Sequence, residues 1–218
     1  PEFLNIWSEA KRPIVVAGNG IHLSKTRDKF KKFIEHHNLP YVVSYFGSDL
    51  GDDYVGKVGI LGNRSGNFAI QNADLVLCLG CRLSKSVTGY NRNLFAREAK
   101  VIYLDIDESE FMDVKNLDLK IHMDLRTFFD LDIPQNNNTD PKWISKTGEW
   151  KNNWSCELPP KGGPLVCPYR HLNAFFNTKP PNSCVTASSG SIYCVVWHMY
   201  KHKEGDRFVT SSHGDMGY

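Results

Sequence analysis

Four short, near-continuous apolar runs punctuate the first half of the chain: Pro13-Ile14-Val15-Val16-Ala17, Tyr41-Val42-Val43, Leu75-Val76-Leu77-Cys78-Leu79 and Val101-Ile102-Tyr103-Leu104-Asp105-Ile106. Runs of this length that do not alternate with polar residues need cover on both faces, as parallel strands beneath helices have. Helical stretches separate them. One starts near Ser24 as N-cap and sets Phe30, Phe33 and Ile34 on one face at i, i+3, i+4 spacing. Others lie near residues 4–10 and 67–72. The alternation predicts an α/β fold with a Rossmann-like, doubly wound and mostly parallel sheet over residues 1–133.

The composition changes at Pro134. Gln135-Asn136-Asn137-Asn138-Thr139-Asp140-Pro141 is polar, a Trp-rich helix follows at 143–154, and Leu158-Pro159-Pro160-Lys161-Gly162-Gly163-Pro164 breaks the chain again. Residues 134–164 therefore form a linker with a helix in it. From 165 a second α/β unit begins, with helices at 169–177 and 193–200 and strands at Cys184-Val185-Thr186 and Arg207-Phe208-Val209-Thr210. Two strands do not bury an independent core, so residues 165–218 read as the truncated start of a further domain.

Charge and cysteine usage narrow the partners. Lys and Arg number 26 against 24 Asp and Glu, a net +2, and the two signs are interleaved, as in Lys25-Thr26-Arg27-Asp28-Lys29. No basic stripe is available for a phosphate backbone, so nucleic acid is not expected as a partner. The apolar runs are of strand length, far short of the roughly 20 residues of a membrane helix, so no membrane is expected either. The six cysteines sit mostly inside apolar runs, which fits buried thiols in a reducing, cytoplasmic compartment. Cys78 and Cys81 have CxxC spacing but no second pair at zinc-site distance.

Several strand ends carry ligand-type chemistry. Gly18-Asn19-Gly20 lies between a strand and a helix, where a backbone can approach a phosphate, although a tight turn without a ligand fits equally well. Leu23 stands where a GxGxxG motif has its third glycine, and Tyr45-Phe46-Gly47 closes the second strand in place of a ribose-binding acid, so an NAD fingerprint is not supported. Asp105 and Asp107 fall on one face at the carboxyl end of a strand; Asp107 with Glu110 also forms a capping-box pattern, which leaves Asp105 the better ligand candidate. The loop from Gly80 to Tyr90 offers Arg82, hydroxyls and Thr88. Ser189-Gly190-Ser191 opens a helix after a strand and suits a phosphate or a plain cap. His36 and His37 sit near a helix C-terminus and read as part of its cap.

Taken in order, "RPIVVAGNGI", "AIQNADLVLCLGCRLSKSVTGYN", "FAREAKVIYLDIDESEF" and "FVTSSHGDMGY" resemble the thiamine-diphosphate (ThDP) enzymes of the acetolactate synthase-like family. The resemblance covers that family's central domain and the first part of its pyrophosphate-binding domain. It implies an oligomeric enzyme that decarboxylates a 2-oxo acid and transfers the acyl carbanion equivalent, with ThDP and Mg²⁺ as cofactors of the complete protein. It further implies that Ser189, Gly190 and Ser191 touch the diphosphate, and that Gly214, Asp215 and Met216 belong to the loop whose Met holds ThDP bent. In acetolactate synthases the loop after the third apolar run usually reads Arg-Phe-Asp-Asp-Arg-Val-Thr-Gly and helps bind FAD. Here Arg82 and Val87-Thr88-Gly89 match, while Leu83, Ser84, Lys85 and Ser86 depart, which counts against FAD and leaves another nucleotide as the alternative. The resemblance implies that the activating glutamate and the Mg²⁺ segment lie outside this chain, so the chain by itself is expected to be inactive. The other reading is a stand-alone nucleotide-binding or regulatory module.

Overall fold

The computed structural model describes residues 1–112, 117–154, 158, 162–188, 190–203 and 205–210. Its centre is a six-stranded, all-parallel sheet in the order β3-β2-β1-β4-β5-β6, made of β1 (Pro13–Ala17), β2 (Tyr41–Val43), β3 (Gly56–Lys57), β4 (Leu75–Leu79), β5 (Lys100–Asp105) and β6 (Leu119–His122). The strand order reverses between β1 and β4, so connections leave in opposite directions and open a crevice at their carboxyl ends.

The apolar runs fill both faces because successive side chains alternate. Val15, Ala17, Leu75, Leu77, Leu79, Ile102 and Leu104 face one core, which is closed by α1 (Glu2–Glu9), α3 (Arg27–His37) and α6 (Leu125–Phe128). Ile14, Val16, Val42, Val76, Cys78, Val101 and Tyr103 face the other, under α4 (Arg64–Asn72) and α7 (Pro141–Asn153). The helical part of the 134–164 stretch is thus a layer on the central sheet. Trp143 and Trp150 are buried there, and the Trp143 indole donates to the Pro13 carbonyl at 2.8 Å.

Two local expectations need correction. The first helix after β1 does not start at Ser24. A four-residue helix, α2 (Gly20–Leu23), comes first, the Ser24 hydroxyl donates back to the Gly20 carbonyl at 2.7 Å, and α3 begins after Thr26. Asp107 caps through the Ser109 amide, at 3.0 Å, but Glu110 does not complete a capping box, because its carboxylate binds Arg82 instead. α3 presents Phe30, Phe33, Ile34 and His37 to the core and ends at Asn38, whose φ of 48° is the left-handed conformation that stops a helix.

A second parallel pair, β7 (Cys184–Ala187) with β8 (Arg207–Thr210), lies with α8 (Pro168–Thr178) and α9 (Ser191–Met199). Its core of Leu172, Phe176, Val185, Val196, Trp197 and Phe208 includes Tyr45 of the central unit. The Tyr45 ring stacks on Trp197, with centroids 4.2 Å apart, and on Tyr193, 4.6 Å apart. Asp49, 1% exposed, accepts from His22 at 2.7 Å, the Arg207 guanidinium at 2.8 Å and the Phe208 amide at 3.0 Å. Lys57 donates to the Trp197 carbonyl at the end of α9, a cation where the helix dipole is negative.

Candidate functional site

The crevice at the strand-order reversal is a cavity of about 520 Å³, within the range that small-molecule sites occupy. Its floor is Asn19 and Gly20 after β1, Gly80 after β4, and Asp105 at the end of β5. Ser44, Tyr45 and Phe46 after β2 form one wall, and Met123 to Arg126 after β6 form another. Arg82, Asp107 and Glu110 stand at its rim.

The glycines explain why the turn can sit there. A Cβ on Gly18 would lie 2.2 Å from the Gly80 carbonyl oxygen, and one on Gly20 would lie 2.6 Å from the Gly80 Cα. The two loops therefore touch backbone to backbone, and Gly80 takes φ +53° to allow it. Their amides are engaged in the same contact: Gly18 donates to Leu79 at 3.1 Å and Gly20 to Gly80 at 2.8 Å. Gly18 does not line the cavity, whereas Asn19 and Gly20 do.

The charged residues pair among themselves. The Arg82 Nε donates to Glu110 at 2.6 Å, and Arg126 donates through Nη2 to Asp124 at 2.5 Å. The side-chain and backbone hydrogen bonds from Arg126 hold the Asp124 carboxyl down to about 2. Asp105 accepts the Asp107 amide at 3.0 Å. Its burial, with the nearby Glu110 and Asp107 charges, raises its pKa above the ordinary carboxylate value despite the hydrogen bonds from Asp107 and Ile106. Asp107, exposed and bonded by Ser109, moves the other way. Thr88 is buried in α5 (Lys85–Thr88), donates to the Ser84 carbonyl at 3.1 Å and does not reach the cavity.

Sequence reasoning brought Asn19, Gly20, Arg82 and Asp105 to this crevice. It missed the wall residues Tyr45 and Phe46, the Glu110 partner of Arg82, and the whole Met123 to Arg126 wall, which depends on the unpredicted edge strand β6. The only advance signal for that wall was Asp124 two residues before Arg126, an N-cap pattern ahead of a short helix.

The second candidate region is the start of α9. Gly190 takes φ +82° at the N-cap, and among the described residues no side chain caps the helix and a Cβ added there meets nothing within 4 Å. That open, uncapped N-terminus of a nine-residue helix suits an anionic group. Ser189, Gly214, Asp215 and Met216 lie outside the described residues. Among the described residues no group of three or more His, Cys, Asp or Glu could hold a metal ion, and no helix is long and apolar enough to cross a membrane. Burial pushes the Cys81 thiol up to about 12, against a hydrogen bond with Ser44, so it is not a thiolate near neutral pH.

Comparison with known proteins gives the same frame. Residues 2–131 match the family described as thiamine pyrophosphate enzyme, central domain. The chain is 28% identical to a probable acetolactate synthase large subunit of Methanococcus aeolicus, over 99% of this chain and 39% of that protein. It is 25% identical to the acetolactate synthase isozyme 2 large subunit of Escherichia coli (strain K12), over 97% of this chain and 39% of that protein. A 2-hydroxyacyl-CoA lyase 1 of Dictyostelium discoideum is 33% identical over 52% of this chain and 19% of its own length. The chain thus spans 39% of the length of both acetolactate synthase relatives.

Proposed function

Because the chain belongs to the thiamine pyrophosphate enzyme family through its central domain, we propose that it supplies that domain and the opening of the diphosphate-binding domain to an acetolactate synthase-like enzyme. That enzyme decarboxylates a 2-oxo acid and transfers the acyl carbanion equivalent to an acceptor or releases it. The observation that carries this reading is the reach of the similarity. It continues past residue 131, where the central-domain match ends, through α8, β7, α9 and β8, in relatives matched over 97–99% of this chain.

When bound, ThDP supplies a thiazolium that acts as the electron sink for decarboxylation. The residues of this chain would hold and orient it. The Ser191 and Ile192 amides at the start of α9, with Gly190, the Ser191 hydroxyl and Ser189, would bind the diphosphate, in keeping with the N-cap described above. Gly214, Asp215 and Met216 would support the bent cofactor. Mg²⁺ would accompany the diphosphate, and no ligand for it is assigned to the described residues. The complete protein is expected to be a homo-oligomer, as the family resemblance implies, and to work in a thiol-reducing cytoplasm, which the five free cysteines among the described residues favour.

The test compares the 218 residues with the longer open reading frame that would contain them. With ThDP, Mg²⁺ and a panel of 2-oxo acids, the longer protein is expected to release CO₂ and the 218-residue chain is not. Turnover by the short chain, or micromolar ThDP affinity for it in calorimetry, would overturn the fragment reading. A longer protein that binds ThDP but leaves every 2-oxo acid intact would overturn the substrate class.

A further inference from the structure

Two histidines of the second unit reach across to the central unit, and each contact prescribes the state of its ring. His202, in the connection between α9 and β8, sets its Nε2 2.8 Å from the Arg27 Nη2 at the start of α3. A guanidinium has donors only, so Nε2 accepts and the neutral ring carries its proton on Nδ1. That Nδ1 is buried and has no hydrogen-bond partner among the described residues. His198, on α9, places Nε2 2.6 Å from the Leu61 carbonyl that follows β3 and Nδ1 3.4 Å from the Tyr169 hydroxyl of α8. Facing a carbonyl, Nε2 is the donor, which leaves Nδ1 as the acceptor of a neutral ring.

The surroundings of both rings oppose a further proton. His202 stands at a cleft that it shares with Arg27, Lys31 and Glu35 of α3, with Asp52 and Asp53, and with Lys151 of α7. Asp52, Asp206 and Asp49 favour its protonation, but each already has a partner. Asp52 accepts the His202 backbone amide at 3.1 Å, Asp206 pairs with Lys179, and Asp49 holds His22, Arg207 and the Phe208 amide. Burial, followed by the Arg27 charge, brings the His202 pKa below the ordinary 6.5. At His198 burial, with the Lys57 charge adding to it, outweighs the Leu61 hydrogen bond and moves the pKa the same way.

We propose that His198 and His202 form a pH latch between the two units, closed while both rings are neutral and loosened when they are protonated. A proton on His202 Nε2 replaces a hydrogen bond with two cations in contact. A proton on His198 Nδ1 keeps the Leu61 bond but removes the acceptor facing Tyr169 and adds a half-buried charge near Lys57, so His202 is the main release. The folded pKa values lie below 6.5, so the latch is fully closed above that pH and weakens as the pH falls from 6.5 towards them. Opening draws α9 away from Tyr45, whose ring belongs to the core of the second unit, and the response therefore covers residues 168–210 rather than two side chains. The latch rests on the contact between the units and not on the cofactor.

Amide exchange of the 218-residue chain at pH 7, 6 and 5, corrected for the intrinsic rate at each pH, tests this. Between pH 7 and 5, protection in residues 168–210 is expected to fall by about threefold or more beyond any change in β1 and β4, with a ceiling of about thirtyfold per histidine set by an undocked pKa of about 6.5. Glutamine keeps an acceptor for Arg27 and a donor for Leu61 without taking up a proton. In the double variant His198→Gln with His202→Gln, the fall is expected to shrink to that of β1 and β4, and His202→Gln alone is expected to remove most of it. The imidazole Cε1–H signals of the unmodified chain give a second reading that needs no variant, with His202 expected to titrate below pH 6.5. Protection in residues 168–210 that merely follows β1 and β4 in the unmodified chain overturns the latch. So does an excess fall that persists undiminished in the folded double variant, or a His202 titration at or above pH 6.5.

Discussion

The two parallel sheets of this chain are built from the same strand-helix-strand units, but they bury themselves differently. The six-stranded sheet closes both of its faces with helices from residues 1–154. The β7-β8 pair completes its core with Tyr45 from the other unit. The ties described with the fold come, on the central side, from the segment that carries Tyr45, Asp49 and Lys57, and Ser48 also accepts the Trp197 indole at 2.7 Å. The same segment begins with the wall of the crevice. The first unit can be expected to hold without the second, whereas the second depends on the first.

Core truncations are the largest way to break this comparison. Leu77→Ala, at a side chain 1% exposed in the middle of the central sheet, is expected to cost about 2–5 kcal/mol and to raise amide exchange throughout, including α9. Trp197→Ala removes the ring stacked on Tyr45 and the donor to Ser48 and is expected to cost about 3–5 kcal/mol, but with the exchange confined to residues 168–210. Exchange mass spectrometry of both variants reads the asymmetry directly. Loss of protection in β1 and β4 on Trp197→Ala would make the chain one cooperative unit and erase the distinction.

Asp49→Ala sharpens it at the interface. The substitution leaves the buried Phe208 amide without its acceptor, a loss of about 1–3 kcal/mol, and should again appear first in β8 and α9. Burial raises the Asp49 carboxyl, but the hydrogen bonds from His22, Phe208 and Arg207 together with the His22 charge outweigh it and bring the pKa below the ordinary value of 3.8. The folded state therefore binds this proton less readily than the unfolded chain does. The contribution of Asp49 is complete above about pH 4 and fades only as the pH falls through its folded value. Undocking of the second unit between pH 7 and 5 would have to come from other groups.

Acid should reach the central unit earlier, through His37. Burial, with help from the neighbouring His36, lowers its pKa from 6.5 to about 4 against the opposing hydrogen bond with Gln135. The fold keeps His37 neutral where the unfolded chain would protonate it. Stability from this group is complete above pH 6.5 and declines as the pH drops towards 4. Urea midpoints of the central unit are expected to fall over that interval, and His37→Leu is expected to flatten the slope.

These contrasts also explain what could be read from the sequence. β1, β4 and β5 were legible because sheet interiors covered on both faces leave unbroken apolar runs. β6 was not, since an edge strand with Lys120 and His122 pointing outward alternates weakly over four residues, and β3 has only two residues, Gly56 and Lys57, to announce itself. Glu110 shows where local patterns mislead. The Asp-x-x-Glu spacing is a helix-cap signature, yet a guanidinium 28 positions away is the stronger partner for that carboxylate. Tyr45 and Asp49 owe their roles to contacts about 150 residues distant, for which no local signal exists. The crevice was legible as a set of strand ends, but the arginine-carboxylate pairing that sets its charge was not.

The smallest effect comes from a pair of the same chemical type placed in two settings. Lys179 and Asp206 form an ion pair 2% and 0% exposed within the second unit, while Lys29 and Asp130 pair at 2.5 Å on the surface of the first with 44% and 65% exposure. Water and salt screen the surface pair, and two long side chains must be ordered to form it, so Asp130→Asn is expected to change the central unit by less than about 1 kcal/mol. The unit that is self-contained can lose such a contact at little cost because its two apolar cores carry the stability. A larger loss at Asp130 in urea titration, persisting at high salt, would mean that the α3 and α6 layer is held by that pair rather than by Phe33, Phe128 and Phe129, whose rings meet beneath it.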